Sequence, residues 1–305
     1  MQHQPFETPI LFLIFNRPDT TIKVFNAIRE IKPKQLFIAA DGPRNSEERI
    51  RCNEVRDICK NIDWPCELQT LYREENIGCG LAVSGAINWF FTNVEEGIVL
   101  EDDTLPNKSF FYFCQYILNR YRHDESVMHV AGFNYDFFRK IKVRSSHFFA
   151  NSIAVWGWAT WRRAWKKYDF EMIGFEKIEG TLNCKDHYKN ALRKTFEKKI
   201  DTWDYQWMYA IYSNNGKAVI PKQNLVLNLG FGSGATHTSQ VPPWNNLVTQ
   251  KELKIGKDSE PILYSDWYEQ IVITNTIWEK YSFMQRILLQ YKKLLKKAID
   301  NKGRP

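Results

Sequence analysis

Four short apolar runs, Ile10–Phe15, Leu36–Ala40, Leu68–Tyr72 and Gly97–Leu100, punctuate the first hundred residues. Each is bounded by turn residues and is too short for a helix, so each reads as a strand. Amphipathic stretches separate them. One starts near Asp19 or Thr20 and repeats Ile22, Phe25, Ile28 and Ile31 at helical spacing. Another opens on Asn45 with Glu48 three residues on, the pattern of a capping box, and carries Ile50, Val55, Ile58 and Ile62. A third runs from about Gly80 to Val94 with Leu81, Ile87, Phe90 and Phe91. Alternation of this kind predicts right-handed crossovers and a parallel sheet with helices on its faces.

The chain has 305 residues, enough for one large mixed domain or two small ones. With 44% hydrophobic and 25% charged residues, it fits the globular class and excludes disorder and fibres. The longest apolar run is far below the ~20 residues of a membrane span, and no signal-peptide pattern precedes it, so a cytoplasmic protein is expected. Six cysteines lie scattered without a C-x-x-C pair, which argues against zinc ribbons and disulfide scaffolds. Charge adds one local feature. Between Lys280 and Pro305, eight basic residues face Asp300 alone, which accounts for the whole net charge of +7. A neutral body with a basic tail is not a duplex-binding surface. Met284, Ile287, Tyr291, Leu294 and Ala298 give that tail an apolar helical stripe flanked by lysines. It reads either as a terminal helix docked on the body or as an interfacial helix on anionic lipid.

Ligands of parallel sheets sit beyond the carboxyl ends of the strands. Those ends read Asn16-Arg17-Pro18, Asp41-Gly42-Pro43-Arg44, Asn76-Ile77-Gly78-Cys79-Gly80 and Glu101-Asp102-Asp103. No G-x-G-x-x-G follows the first strand and no P-loop occurs anywhere; after Gly78 and Gly80 the third glycine would fall on Val83. The acidic triplet is the most informative. Three adjacent carboxylates at the end of an apolar strand repel one another and lose hydration, so a cation, arginines or open water must compensate. Either the triplet is a solvated loop before the helix signalled by Asn107, or it offers hard oxygen ligands to Mg²⁺ or Mn²⁺ on a diphosphate.

These four strand ends stand in the order and spacing of GT-A nucleotide-sugar glycosyltransferases. Asn76, Gly78 and Ala82 resemble the N-x-G-x-x-x-A stretch of the bacterial family 2 group. Glu101-Asp102-Asp103, followed by Pro106, Phe110 and Phe111, is similar to the E-D-D metal site of N-acetylglucosaminyltransferase I. The resemblance covers roughly residues 8 to 240. It implies an α/β GT-A fold, a Rossmann-like mixed sheet with helices on both faces, plus a C-terminal helical extension. A domain over 1–250 is expected, with a nucleotide-binding half (1–104) and an acceptor half (105–250), then an extension over 251–305 bearing the basic amphipathic helix. Further implications are that Asp41 accepts from the uracil edge and that Asn16 and Arg17, with Asn76 and Gly78, line the nucleotide pocket. Glu101 and Asp102 would face ribose and sugar, and Asp103 would hold Mn²⁺ or Mg²⁺. Strand alternation would put Asp102 opposite Glu101 and Asp103. Asp41 in an Asp-Gly-Pro turn also reads as turn chemistry alone.

After Phe133 the strand–helix rhythm gives way to aromatic-rich segments, read as an acceptor site. Trp158, Trp161 and Trp165 share a helical face and suggest a core stripe, while Trp156 and Trp158 flanking Gly157 could offer flat faces to a sugar. A helix is expected from Asp201 to about Tyr212, capped by Asp201. Asp204 in its first turn is either a favourable helix-end acid or, as the resemblance implies, the catalytic base of an inverting transferase. Leu229 to Thr238 carries glycines at alternate positions and reads as a lid, with His237 either structural or a metal or phosphate ligand. The sequence thus predicts an inverting, metal-dependent transferase moving a sugar, by analogy a hexosamine, from a UDP-sugar to a glycan or lipid-linked acceptor. Peripheral contact with the inner face of the cell membrane would run through residues 280–305. Rival readings are a sugar-phosphate nucleotidyltransferase, which wants a glycine-rich basic loop after the first strand that Asn16-Arg17-Pro18 does not provide, and a non-catalytic carbohydrate- or partner-binding protein on the same scaffold.

Overall fold

A computed structural model describes residues 6–136, 143–182, 184, 186–231, 252–255 and 268–272. The first half alternates as expected: β1 (Ile10–Ile14), α1 (Pro18–Ile31), β2 (Gln35–Ala40), α2 (Ser46–Ile58), β3 (Glu67–Tyr72), α3 (Cys79–Asn93) and β4 (Glu96–Glu101). Then follow β5 (Thr104–Pro106), α4 (Lys108–Arg120), β6 (Val127–Ala131), β7 (His147–Ala150), β8 (Trp158–Trp161), α5 (Arg162–Trp165), α6 (Phe175–Ile178), α7 (Asp186–Phe196), α8 (Asp204–Ser213), β9 (Lys217–Pro221) and β10 (Val226–Asn228).

Eight strands form one sheet in the order β3-β2-β1-β4-β8-β6-β9-β7. β3, β2, β1 and β4 run parallel, and β8 is antiparallel to both β4 and β6. β5 and β10 pair in a separate antiparallel ribbon. Side chains alternate between two buried faces, which is why the central strands read as unbroken apolar runs. Ile10, Phe12 and Ile14 join Val24, Phe25, Ile28 and Phe110 on one face, where α1, α2 and α4 pack. Leu11 and Leu13 join Ala86, Ile87, Phe90 and Trp207 on the other, under α3 and α8. The α/β class and the Rossmann-like mixed sheet with helices on both faces are therefore as expected.

Local signals account for the helix starts. Pro18 opens α1, and Asn45 caps α2 by accepting from the Glu48 N–H at 2.9 Å. Ile22, Ile50 and Leu81, expected on buried faces, are exposed instead. The aromatic stretch after Phe133 continues the sheet rather than leaving it. Trp158 and Trp161 lie on strand β8, on opposite faces, so the helical stripe expected of 158, 161 and 165 is not formed.

Both halves expected at 1–104 and 105–250 share this sheet. Described residues from beyond 250 pack onto the same body. Leu253 is buried, its N–H donating to Ser109 Oγ at 2.9 Å. Tyr268 lies fully buried against Phe148 and accepts from the Tyr135 N–H at 3.0 Å. Glu269 Oε1 accepts from the Asn151 N–H at 3.1 Å. Residues 268–272 are helical; the basic stripe of 280–305 lies outside the described residues. All six cysteines are unpaired. Among the described residues, no helix is long and apolar enough to cross a membrane.

Candidate active site

From β1 the chain moves outward to β2 and β3, then returns to place β4 on the other side of β1. Strand order reverses between β1 and β4, and ligands of open α/β sheets bind in the crevice at such a point. The β1 end supplies Phe15, Asn16 and Arg17, and the β4 end supplies the acidic triplet. They are directly bonded. Phe15 N–H donates to Asp102 Oδ2 at 3.0 Å, and Arg17 Nη1 donates to Asp103 Oδ2 at 2.6 Å while lying 3.8 Å from Asp102 Oδ1.

β4 ends at Glu101, where Thr104 Oγ1 both accepts from the Glu101 N–H and donates to its carbonyl, each at 3.0 Å. Asp102 and Asp103 therefore occupy a turn, and the strand alternation expected across the triplet stops at Glu101. Asp102 is only 7% exposed and has one oxygen committed to the β1 backbone, so it ties the two strand ends together rather than facing a ribose freely. Burial pushes all three acids upward, and neighbouring carboxylates add to it at Glu101 and Asp102. Burial, followed by the charges of Asp103, Asp102 and Asp204, raises Glu101 well above the usual carboxylate range. Burial and Asp103 push Asp102 up to about 7, and burial raises Asp103 against the opposing pull of Arg17.

The ends of β2 and β3 are fastened together. Asp41 accepts from the backbone N–H of Gly42 (2.9 Å) and of Ile77 (3.2 Å), and Asn76 Nδ2 donates to Gly42 O at 2.8 Å. A Cβ on Gly42 would lie 2.3 Å from the Glu75 backbone, so only glycine lets these loops touch. Asp41 and Asn76 thus build the loop, which for Asp41 is the turn chemistry left open by the sequence. Arg56, which the sequence did not single out, closes the same corner by donating to Arg73 O at 2.6 Å while lying over the Tyr72 ring.

Asn16 is held by α2, its Nδ2 donating to Glu48 Oε1 at 2.8 Å. Glu48 does not return the capping-box bond to Asn45. Instead it accepts from the Arg44 N–H at 2.9 Å and from the Arg44 guanidinium, which, ahead of other causes, pulls its carboxyl down to about 2. A folded-state pKa below the unfolded value near 4.5 adds stability above that value, which is lost as pH falls through about 2. With Arg44 largely exposed, solvent screening trims the pair. Glu48→Gln is expected to cost about 1–2 kcal/mol at pH 7 and much less at pH 2, read by urea unfolding at both.

Asp204 is the first residue of α8. It accepts from the Tyr205 N–H at 2.9 Å and from Thr202 Oγ1. Its charge is among those that raise Glu101, so the α8 entrance lies near the β4 end. Asp201 is not the cap of α8 that the sequence suggested; its carboxylate accepts from the N–H groups of Cys79 and Gly80 at the start of α3, each at 3.0 Å.

The tryptophans divide. Trp158 is fully buried, stacked between His129 and Trp203 at centroid separations of 5.3 and 5.5 Å, so it has no face left for a sugar. His129 accepts the Trp207 N–H at Nδ1 and donates from Nε2 to Ala154 O, and burial keeps it neutral with a pKa near 3. Gly157 has φ +60°, and a Cβ there would lie 2.8 Å from Val226 Cγ2; its small size serves packing and backbone shape rather than ligand approach. Trp156 is half-buried, edge-on to Phe133 and Phe231 at 4.7 and 5.7 Å, and remains a candidate for contact. His237 and most of the expected lid lie outside the described residues. The start of that segment is anchored, because Leu229 N–H donates to Asp103 O at 2.7 Å and a Cβ on Gly230 would lie 2.2 Å from Asp103 Oδ2.

Among the described residues, no three ligating side chains converge as a ready metal cage. The donor set still suits a hard divalent ion, because Asp102 and Asp103 share one guanidinium beside Glu101 and a phosphate-bridging ion takes only one or two protein oxygens.

No protein-family model and no curated protein matches the chain. Among solved structures it is similar to HddC from Yersinia pseudotuberculosis, with 11% identity over 41% of this chain and 57% of that one and a TM-score of 0.28. It is also similar to 4-diphosphocytidyl-2C-methyl-D-erythritolsynthase from Anaerococcus prevotii DSM 20548, with 8% identity over 67% of this chain and 97% of that one and a TM-score of 0.30. At such scores neither likeness bears on the chemistry of the crevice.

Proposed function

We propose that the chain is a nucleotide-sugar-dependent glycosyltransferase of the GT-A kind, inverting and metal-assisted. One observation carries the reading. Asp204, the first residue of α8, has its carboxylate near enough to the β4 end for its charge to bear on Glu101, beside the Arg17–Asp103 pair that joins β1 to that end. Donor diphosphate lies at the reversal point between β1 and β4, near Arg17 and Asp103. Asp103 would hold a divalent ion, whose chemistry there would be to offset the negative charge of the departing diphosphate. Asp204 takes the proton of an acceptor hydroxyl as its oxygen bonds to the anomeric carbon. The bond from that carbon to the phosphate oxygen breaks with its electron pair on UDP, and this single displacement inverts the centre. A hexosamine donor and a glycan or lipid-linked acceptor complete the reading, with residues 1–104 serving the nucleotide and 105–250 the acceptor.

Arg17 favours a second reading. A guanidinium shortly after β1, paired with Asp103 in the turn after β4, also suits a sugar-phosphate nucleotidyltransferase even without a glycine-rich loop, since it would steady the attacked phosphate. Product analysis separates the two. The transferase releases UDP from one member of a panel of UDP-sugars; the alternative releases pyrophosphate from UTP only when a sugar phosphate is supplied. Pyrophosphate release without UDP release would replace the first reading with the second.

A further inference from the structure

The N-cap of α3 is Gly78, which has no side chain to satisfy the orphan N–H groups of the first turn. Those groups are met by a residue more than a hundred positions away. Asp201 places Oδ2 on the Cys79 N–H and Oδ1 on the Gly80 N–H, both at 3.0 Å, at the positive end of a fifteen-residue helix. Both glycines leave room for it. A Cβ at Gly78 would lie 2.9 Å from Asp201 Oδ2, and one at Gly80 would lie 2.7 Å from Asp201 Oδ1 and from Thr202 O.

Asp201 stands three residues before Asp204, and the intervening chain is strung with bonds. Thr202 Oγ1 donates to Asp204 Oδ1, Thr202 O accepts from Gln206 Nε2 at 2.8 Å, and Trp203 O accepts from Tyr168 Oη at 3.2 Å. Capping α3 and placing Asp204 are therefore one contact.

We infer that Asp201 is a positioning residue, whose carboxylate clamps the α8 entrance to the α3 N-terminus and so aims Asp204 at the acids that end β4. The inference deepens the transferase reading and rests on it for its catalytic part. The clamp itself can be judged without any activity.

Hydrogen exchange on the full-length chain reads the clamp. Asp201→Ala is expected to speed amide exchange about tenfold or more at both 79–82 and 202–207, leaving β1 and β4 as in the wild type. Unchanged exchange at either segment overturns the clamp. Turnover of the accepted UDP-sugar reads the consequence. Asp201→Ala lowers kcat about 100-fold with the donor KM within about twofold, and Asp201→Asn, which keeps one accepting oxygen, recovers part of the loss. Equal loss of kcat and donor affinity, or an unchanged kcat, overturns the positioning role. A wild-type chain that turns over no UDP-sugar removes the transferase reading and the catalytic half of this inference with it, while the exchange result still decides the clamp.

Discussion

Asp204→Asn leaves UDP binding close to the wild-type affinity and lowers turnover of the UDP-sugar by about 10²–10⁴-fold. Asparagine keeps the shape of the side chain and can still accept from Thr202 and from the Tyr205 N–H, so the α8 entrance survives. What disappears is the ability to take a proton. Calorimetric titration with UDP and steady-state turnover on the same preparation check the two halves of the prediction. If affinity and turnover fall together, Asp204 shapes the helix entrance and another group is the base.

Asp103→Asn removes most of the gain in UDP affinity that Mn²⁺ confers. A neutral amide is a poor ligand for a hard ion, and a drop of about 10–100-fold in the metal-dependent affinity is expected, with metal-free binding nearly unchanged. Arg17 can still donate to the amide oxygen, so the β1–β4 junction should hold together. Titration with and without Mn²⁺, for both proteins, gives the answer. Wild-type binding indifferent to Mn²⁺ would turn attention to Arg17 as the resident cation.

The two predictions draw on parts of the molecule that were unequally readable from sequence. The β4 end was legible because Gly97–Leu100 is short, apolar on both faces and followed at once by acids, a local pattern. The same holds for Asn45, whose cap needs only the amide three residues on. Trp158 and Trp161 were misread because a spacing of three suits a helical stripe and also the two opposite faces of a strand. Pairing with β4, some sixty residues earlier, settles the choice. Asp201 was legible only in part. Gly78 and Gly80 stood out as a pair, yet without a third glycine they pointed to no known loop; the carboxylate that explains them comes from a distant segment. Asp41 and Asn76 stood out for the opposite reason, since loop-building bonds concentrate the same polar residues that bind ligands.

The seating of Tyr268 and Glu269 governs how the lysine-rich end can be studied. Truncation before residue 268 would uncover Phe148 and strand the amides of Tyr135 and Asn151, giving a poorly folded product whatever the tail does. Shortened versions that stop after 272 keep those attachments, so a change in their affinity for anionic vesicles can be charged to the removed segment rather than to lost folding.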